Sequence, residues 1–155
     1  MENLIHITKD LIKLDEPFEP DFYNHYLKGQ CIGYGFPIKY GDHVPILRKC
    51  IREEIYPFEG DKLLGVQIEV TNSILMLNIS QFYEYLDDVR KSGFISLCDL
   101  IGIDNILIKF KTSFSPLACN DFDEAVRLMI KNYWVQEYYE KSKRLRTCLD
   151  VIRSG

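Results

Sequence analysis

In the stretch DKLLGVQIEV, residues 61–70, Leu64, Val66, Ile68 and Val70 fall on every second position. A pleated strand sends alternate side chains to opposite faces, so this spacing predicts a strand with one apolar face. The TNS that follows reads as a turn and ILMLNI as the returning strand, which gives a hairpin over residues 62–79. A second alternation, Ile106, Ile108 and Phe110, predicts another strand over residues 105–112. An apolar sheet face has to be covered. The expected class is therefore α+β, one domain over residues 1–155, with a small, mainly antiparallel sheet packed with amphipathic helices and a long C-terminal helix.

The covering helices are legible from their spacing. Leu4, Ile7, Leu11 and Leu14 recur every three to four residues and predict a helix over about residues 2–14. The prolines of DEPFEP break it, and Asp21 is placed to cap a short helix, FYNHYLKG, ended by Gly29. CIGYGFPIKYG, with three glycines and a proline, reads as an irregular or edge strand. DHVPILRKCIREEIYP reads as a helix stopped by Pro57, and SQFYEYLDDVRKSG as one closed by Gly93. Asp121 with Glu124 opens a helical last third that meets no further glycine or proline until Gly155. Its apolar stripe shifts by about a third of a turn near Trp134, so a break or a change of packing is expected between residues 134 and 142, with Trp134 largely buried.

Composition narrows the classes further. Apolar residues make up 46% and charged residues 27%, ordinary globular usage. The longest apolar run is too short for a membrane span, and the N-terminus has no basic start or cleavage site of a signal peptide. Cys31, Cys50, Cys98, Cys119 and Cys148 are an odd set without a C-x-x-C, which predicts buried free thiols, a cytoplasmic location and no metal. The formal net charge is -4. A mildly acidic surface repels phosphate and suits a basic partner.

NYWVQEYYEKSKRLR, residues 132–146, joins four aromatics to four cations. On a helical wheel Lys141, Lys143, Arg144 and Arg146 point apart, with Glu137 and Glu140 among them. A helix that binds nucleic acid gathers its cations on one face, and one that lies on a membrane is predominantly basic there. Neither fits, so the stretch reads as core plus solvated face, with Tyr139 left over as a candidate contact.

The chain has no phosphate-binding loop, no dinucleotide fingerprint, no G-x-S-x-G and no H-E-x-x-H, which leaves no cofactor to expect. Cys31 with His25 or His43 is a conceivable nucleophile and base, but buried thiols and solvent-facing imidazoles account for the same residues. Carboxylates cluster twice. Glu84 and Asp88 stand one helical turn apart with Asp87 beside them, and Asp15, Glu16, Glu19 and Asp21 crowd the proline-broken loop. No calcium-loop spacing accompanies them. Either they are solvated surface or they form an acidic patch for a basic protein.

A short, mildly acidic α+β chain with ten tyrosines and no catalytic motif resembles the bacterial immunity proteins of polymorphic-toxin and contact-dependent growth inhibition systems. The resemblance spans the chain in general character and rests on no diagnostic motif. It implies a protein that is not an enzyme and that binds and neutralises a cognate toxin, often a nuclease, with Glu84, Asp87, Asp88, Asp15, Glu16, Glu19 and Tyr139 as the toxin-facing candidates. The alternatives are an adaptor acting through its C-terminal helix and a small enzyme using a cysteine or paired carboxylates.

Overall fold

The computed structural model describes residues 1–38 and 54–155. The helix expected within residues 43–56 lies almost wholly outside these, as do His43 and Cys50. The chain opens with α1, Glu2–Lys13, which buries Leu4, Thr8, Leu11 and Ile12. A three-stranded antiparallel sheet follows, β1 Glu19–His25, β2 Gly29–Gly33 and β3 Phe36–Pro37, in spatial order β1-β2-β3. The rest is helical: α2 Pro57–Asn78, α3 Ser80–Tyr83, α4 Asp88–Ile101, α5 Ile103–Lys109, α6 Phe114–Ala118, α7 Phe122–Ile130, α8 Tyr133–Tyr139 and α9 Lys143–Ser154. The α+β class stands, but the sheet is not where the alternations put it.

The hairpin over residues 62–79 is corrected to the single 22-residue helix α2. At about 100° per residue, Leu64, Ile68 and Leu75 share one face, and all three are buried. Val66, Val70 and Leu77 fall on the other side and are exposed. Apolar residues on two helix faces imitate a two-residue period. The polar residues read as a turn serve the helix: Ser73 Oγ donates to the Glu69 carbonyl at 2.9 Å, and buried Asn72 accepts from the Tyr83 hydroxyl at 2.8 Å. The strand over residues 105–112 is likewise corrected, to α5 and a 3-10 turn at Lys111–Ser113. Ile106 and Phe110, one turn apart, point inward, while Ile108 is 74% exposed. A strand would have put all three on one face.

Two further corrections concern local signals. FYNHYLKG forms strand β1 and the turn into β2, with Tyr23 opposite Cys31 and His25 opposite Gly29. Gly29, at φ 80, supplies the left-handed conformation that closes this turn. Gly93 ends no helix. It lies inside α4, where a Cβ would come within 3.0 Å of the Cys148 carbonyl and 2.9 Å of Ile152, so its bareness lets α9 pack closely. The real start of α4 is capped by Asp87, which accepts from the Arg90 amide at 2.8 Å.

In the last third the helix breaks twice, after Ile130 and after Tyr139, with Asn132 and Ser142 as the new caps. The expected break is thus present. Trp134 is half-buried rather than largely buried, and it packs on Tyr138 at a centroid distance of 4.6 Å. Val135 is the residue of α8 that enters the core.

At the centre lies α4, in which every residue from Ser92 to Ile101 is buried. Phe94 meets Phe82 and Tyr83, and α9 contributes Leu145, Cys148, Leu149 and Ile152 to the same apolar core. Among the described residues no helix is long and apolar enough to cross a membrane.

Candidate functional site

One side of α4 is polar. Ser92, Ser96 and Asp99 follow one another at four- and three-residue steps, which puts them in line on the helix. Ser92 turns its hydroxyl back to the Val89 carbonyl at 2.6 Å. Ser96 and Asp99 meet Arg144, from the first turn of α9, whose side chain is wholly buried.

Four of the five N–H donors of that guanidinium are hydrogen-bonded. Nε donates to Ser96 Oγ at 3.0 Å, Nη2 to the Ser96 carbonyl at 3.0 Å and to Asp99, and Nη1 to Glu16 at 3.2 Å, with Asp15 at 3.6 Å. Lys28, in the turn before β2, is equally committed: its ammonium reaches Asp99 at 2.7 Å, Glu16 at 2.9 Å and the Gly35 carbonyl at 3.1 Å. His25 closes the group. Its Nδ1 accepts from the amides of Leu27 and Lys28 at 3.1 and 3.2 Å, which leaves the ring proton on Nε2, 3.0 Å from Glu16.

The electrostatics follow from this enclosure. Burial pushes the Glu16 carboxyl up, but His25, Lys28 and Arg144 outweigh it and hold the group down to about 2. Asp99 is likewise held below the usual carboxylate range, Lys28 and Arg144 overcoming its burial. Asp15 goes the other way: burial raises it more than Arg144 lowers it. Tyr23, which donates to Glu16 at 3.3 Å, is raised by burial and then by that neighbouring charge. Two buried carboxylates and two buried cations balance, which is the condition under which charges tolerate removal from water.

Beside this network opens a cavity of about 640 Å³, walled by α2, the end of α4, the start of α5, the β1–β2 turn and β3. Lys28, Gln67 and Asp99 form its polar floor. Gln67 donates Nε2 to Asp99, and its carbonyl oxygen is buried with no hydrogen-bond partner among the described residues. Cys98 also lines the cavity; burial pushes its thiol well above the ordinary range, as it pushes Cys148 up to about 11. Neither thiol is prepared as a nucleophile. Cys119, by contrast with the expectation of buried thiols, is exposed.

The carboxylates expected to form one face are divided. Glu84, Asp87 and Asp88 cluster where α3 leads into α4; Asp87 also pairs with Arg90, and Asp88 accepts from Asn3 at 3.3 Å. Asp15 and Glu16 lie beyond the far end of α1, and Glu19 opens β1 half-buried. The rise of the twelve-residue α1, about 18 Å, separates the two groups. Glu16 is 3% exposed and faces inward, so it leaves the surface cluster altogether. Tyr139 is half-buried against the core and its carbonyl accepts from Arg146 at 2.6 Å.

Asp99, Lys28, Ser96, Gln67 and Arg144 were not among the expected site residues. One signal was available: Asp99 is the single charge in the otherwise uncharged run Phe94–Ile101. The other partners come from four separate elements and carry no local mark. No family model matches this chain, and no curated protein matches its sequence.

Proposed function

We propose that this is an immunity-type protein that neutralises a cognate toxin, a nuclease being the suitable kind, by binding it. The observation that carries the reading is the segment Glu84–Asp87. Tyr85 is 78% exposed there, between the exposed carboxylates of Glu84 and Asp87. Its neighbours Phe82, Tyr83 and Leu86 are buried, and the amides of Tyr85 and Leu86 donate to the carbonyls of Phe82 and Tyr83 at 3.1 and 3.2 Å. A tyrosine held on an anchored turn loses little freedom on binding, and tyrosines of this kind are enriched among residues that dominate interfaces. The flanking carboxylates steer a basic partner and speed association.

The charged network beside the cavity supports the same reading from the other direction. Arg144 and Lys28 direct their donors at Glu16 and Asp99, and catalysis needs charged groups that are not already committed to one another. The adaptor alternative has its own observation, the exposed Val66, Val70 and Leu77 of α2, but these lie far along the chain from the C-terminal helix on which that reading was built.

The test is protection. When the product of the neighbouring gene is expressed and arrests growth, co-expression of this chain is expected to restore growth and to yield a complex. Tyr85→Ala with Glu84→Lys is expected to weaken that complex by at least about 30-fold, the effect of losing an interface anchor. No complex, or a complex indifferent to both substitutions, overturns the proposal.

A further inference from the structure

We propose that the cavity between α2, α4, α5, the β1–β2 turn and β3 binds a small organic cation, an apolar body with an ammonium head. The inference is independent of the toxin reading. At about 640 Å³ the cavity falls within the range of roughly 300–1,000 Å³ that small-molecule sites occupy. Its walls are apolar, with Phe36, Val66, Val70, Ile74, Leu100 and Ile103 on its several sides. They select the body of the ligand.

The head is selected by what the polar lining residues still have to offer. Lys28 has three N–H groups and three acceptors, Gly35, Glu16 and Asp99, so it has no donor to spare. Asn105 has committed its amide nitrogen to the Ile101 carbonyl at 2.6 Å. Gln67 has committed its own to Asp99, and that orientation is fixed because a carboxylate only accepts. Each of these two amide nitrogens keeps one further N–H, but the buried lining atom left without a partner among the described residues is an acceptor, Gln67 Oε1, and the amide oxygen of Asn105 and a further lone pair on Asp99 Oδ1 lie in the same lining. Exposed Asp104 stands at the rim. Among the described lining residues three are charged, the cation Lys28 and the anions Asp99 and Asp104. An anionic head would face Asp99, Asp104 and the unpartnered Gln67 oxygen, whereas an ammonium supplies that oxygen with the donor it lacks. The α2 face that imitated a strand supplies Val66 and Val70 to this wall, which gives its second apolar stripe a use.

The experiment titrates the purified chain with 2-phenylethylamine, cationic at neutral pH, and with 3-phenylpropanoate, an anion of similar size, following backbone amide shifts by NMR. The amine is expected to bind saturably below roughly 1 mM, with shifts concentrated in residues 66–74 and 98–105, and at least about tenfold more tightly than the carboxylate. Val70→Trp fills the mouth from a residue that is 52% exposed, so the fold is kept, and is expected to weaken amine binding at least about tenfold. Gln67→Met keeps the volume, removes the free acceptor and is expected to weaken the amine at least about fivefold. Equal or tighter binding of the carboxylate, no saturable binding of the amine, or amine binding unchanged in Val70→Trp overturns the proposal.

Discussion

Around Phe82, Phe94 and Ile152 the interior is apolar, and around Arg144, Asp99, Glu16 and Lys28 it is ionic, yet both sets of side chains are closed to solvent. The same helix, α4, serves both. In the apolar part, contacts are non-directional and each is small, so a change of shape is spread over many neighbours. In the ionic part, each atom has a named partner, and one deletion strands a charge. The two regions therefore differ less in how much they stabilise than in how they fail.

The sharpest way to break that comparison is a pair of substitutions. Arg144→Met leaves Asp99 and Glu16 with Lys28 as their remaining full-time cation, and is expected to cost about 3–5 kcal/mol in urea unfolding, as removal of one partner from a buried ion pair does. Adding Asp99→Leu removes the stranded anion, restores the balance of charge, and is expected to cost less than the two single changes added together. Additive costs would mean that the network behaves like independent contacts, and the contrast between the regions would fall.

Acid tests the same contrast without mutation. The Glu16 carboxyl is held down to about 2, below its ordinary value, so its contribution is complete above about pH 4.5 and is lost as pH falls toward 2. That contribution is about 3 kcal/mol on the shift from 4.5 to about 2. Asp99, also lowered, adds loss of the same sign. The unfolding midpoint is expected to drop steeply between pH 5 and pH 2.5 and less steeply in Glu16→Gln. Parallel profiles for the two proteins would remove Glu16 from the account.

The apolar region is sharpened by grading its aromatics. Phe94→Ala is expected to cost about 3–5 kcal/mol, while Trp134→Ala, at a half-buried position, costs about 1–2 kcal/mol. Denaturation midpoints compare them directly. A larger effect at Trp134 would place the core boundary of the last third elsewhere.

The helical elements were legible where one face is apolar and the other polar. Leu4, Ile7, Leu11 and Leu14 announced α1, and the shifted stripe near Trp134 announced the break between α8 and α9, though not the earlier one after Ile130. Legibility failed at α2 because a second apolar stripe lies opposite the buried one, and at Gly93 because close helix packing and helix termination both call for glycine. The candidate site was hidden for a different reason. Glu16, Lys28, Gln67, Asp99 and Arg144 are ordinary surface residue types, and only the folded chain brings them together. The carboxylates of the Tyr85 turn were readable, since Glu84, Asp87 and Asp88 are neighbours along the chain, but Tyr85 itself was not singled out, its exposure being set by the break between α3 and α4.

Arg144 donates to a carboxylate 128 residues earlier, and this orders events as the protein is made. At typical synthesis rates of about 5–20 residues per second, Glu16 waits roughly 6–25 s before its guanidinium partner is polymerised. Once Asp99 has been made, Lys28 serves both it and Glu16, with only His25 to help at Glu16, until Arg144 arrives, and the inner polar line of α4 has no lid. The nascent chain is expected to remain open to proteases at α4 until α9 is released from the ribosome, and then to close in one step. Pulse proteolysis of stalled chains ending before and after residue 144 reads this directly, and equal protection of both would show that closure does not wait for the arginine.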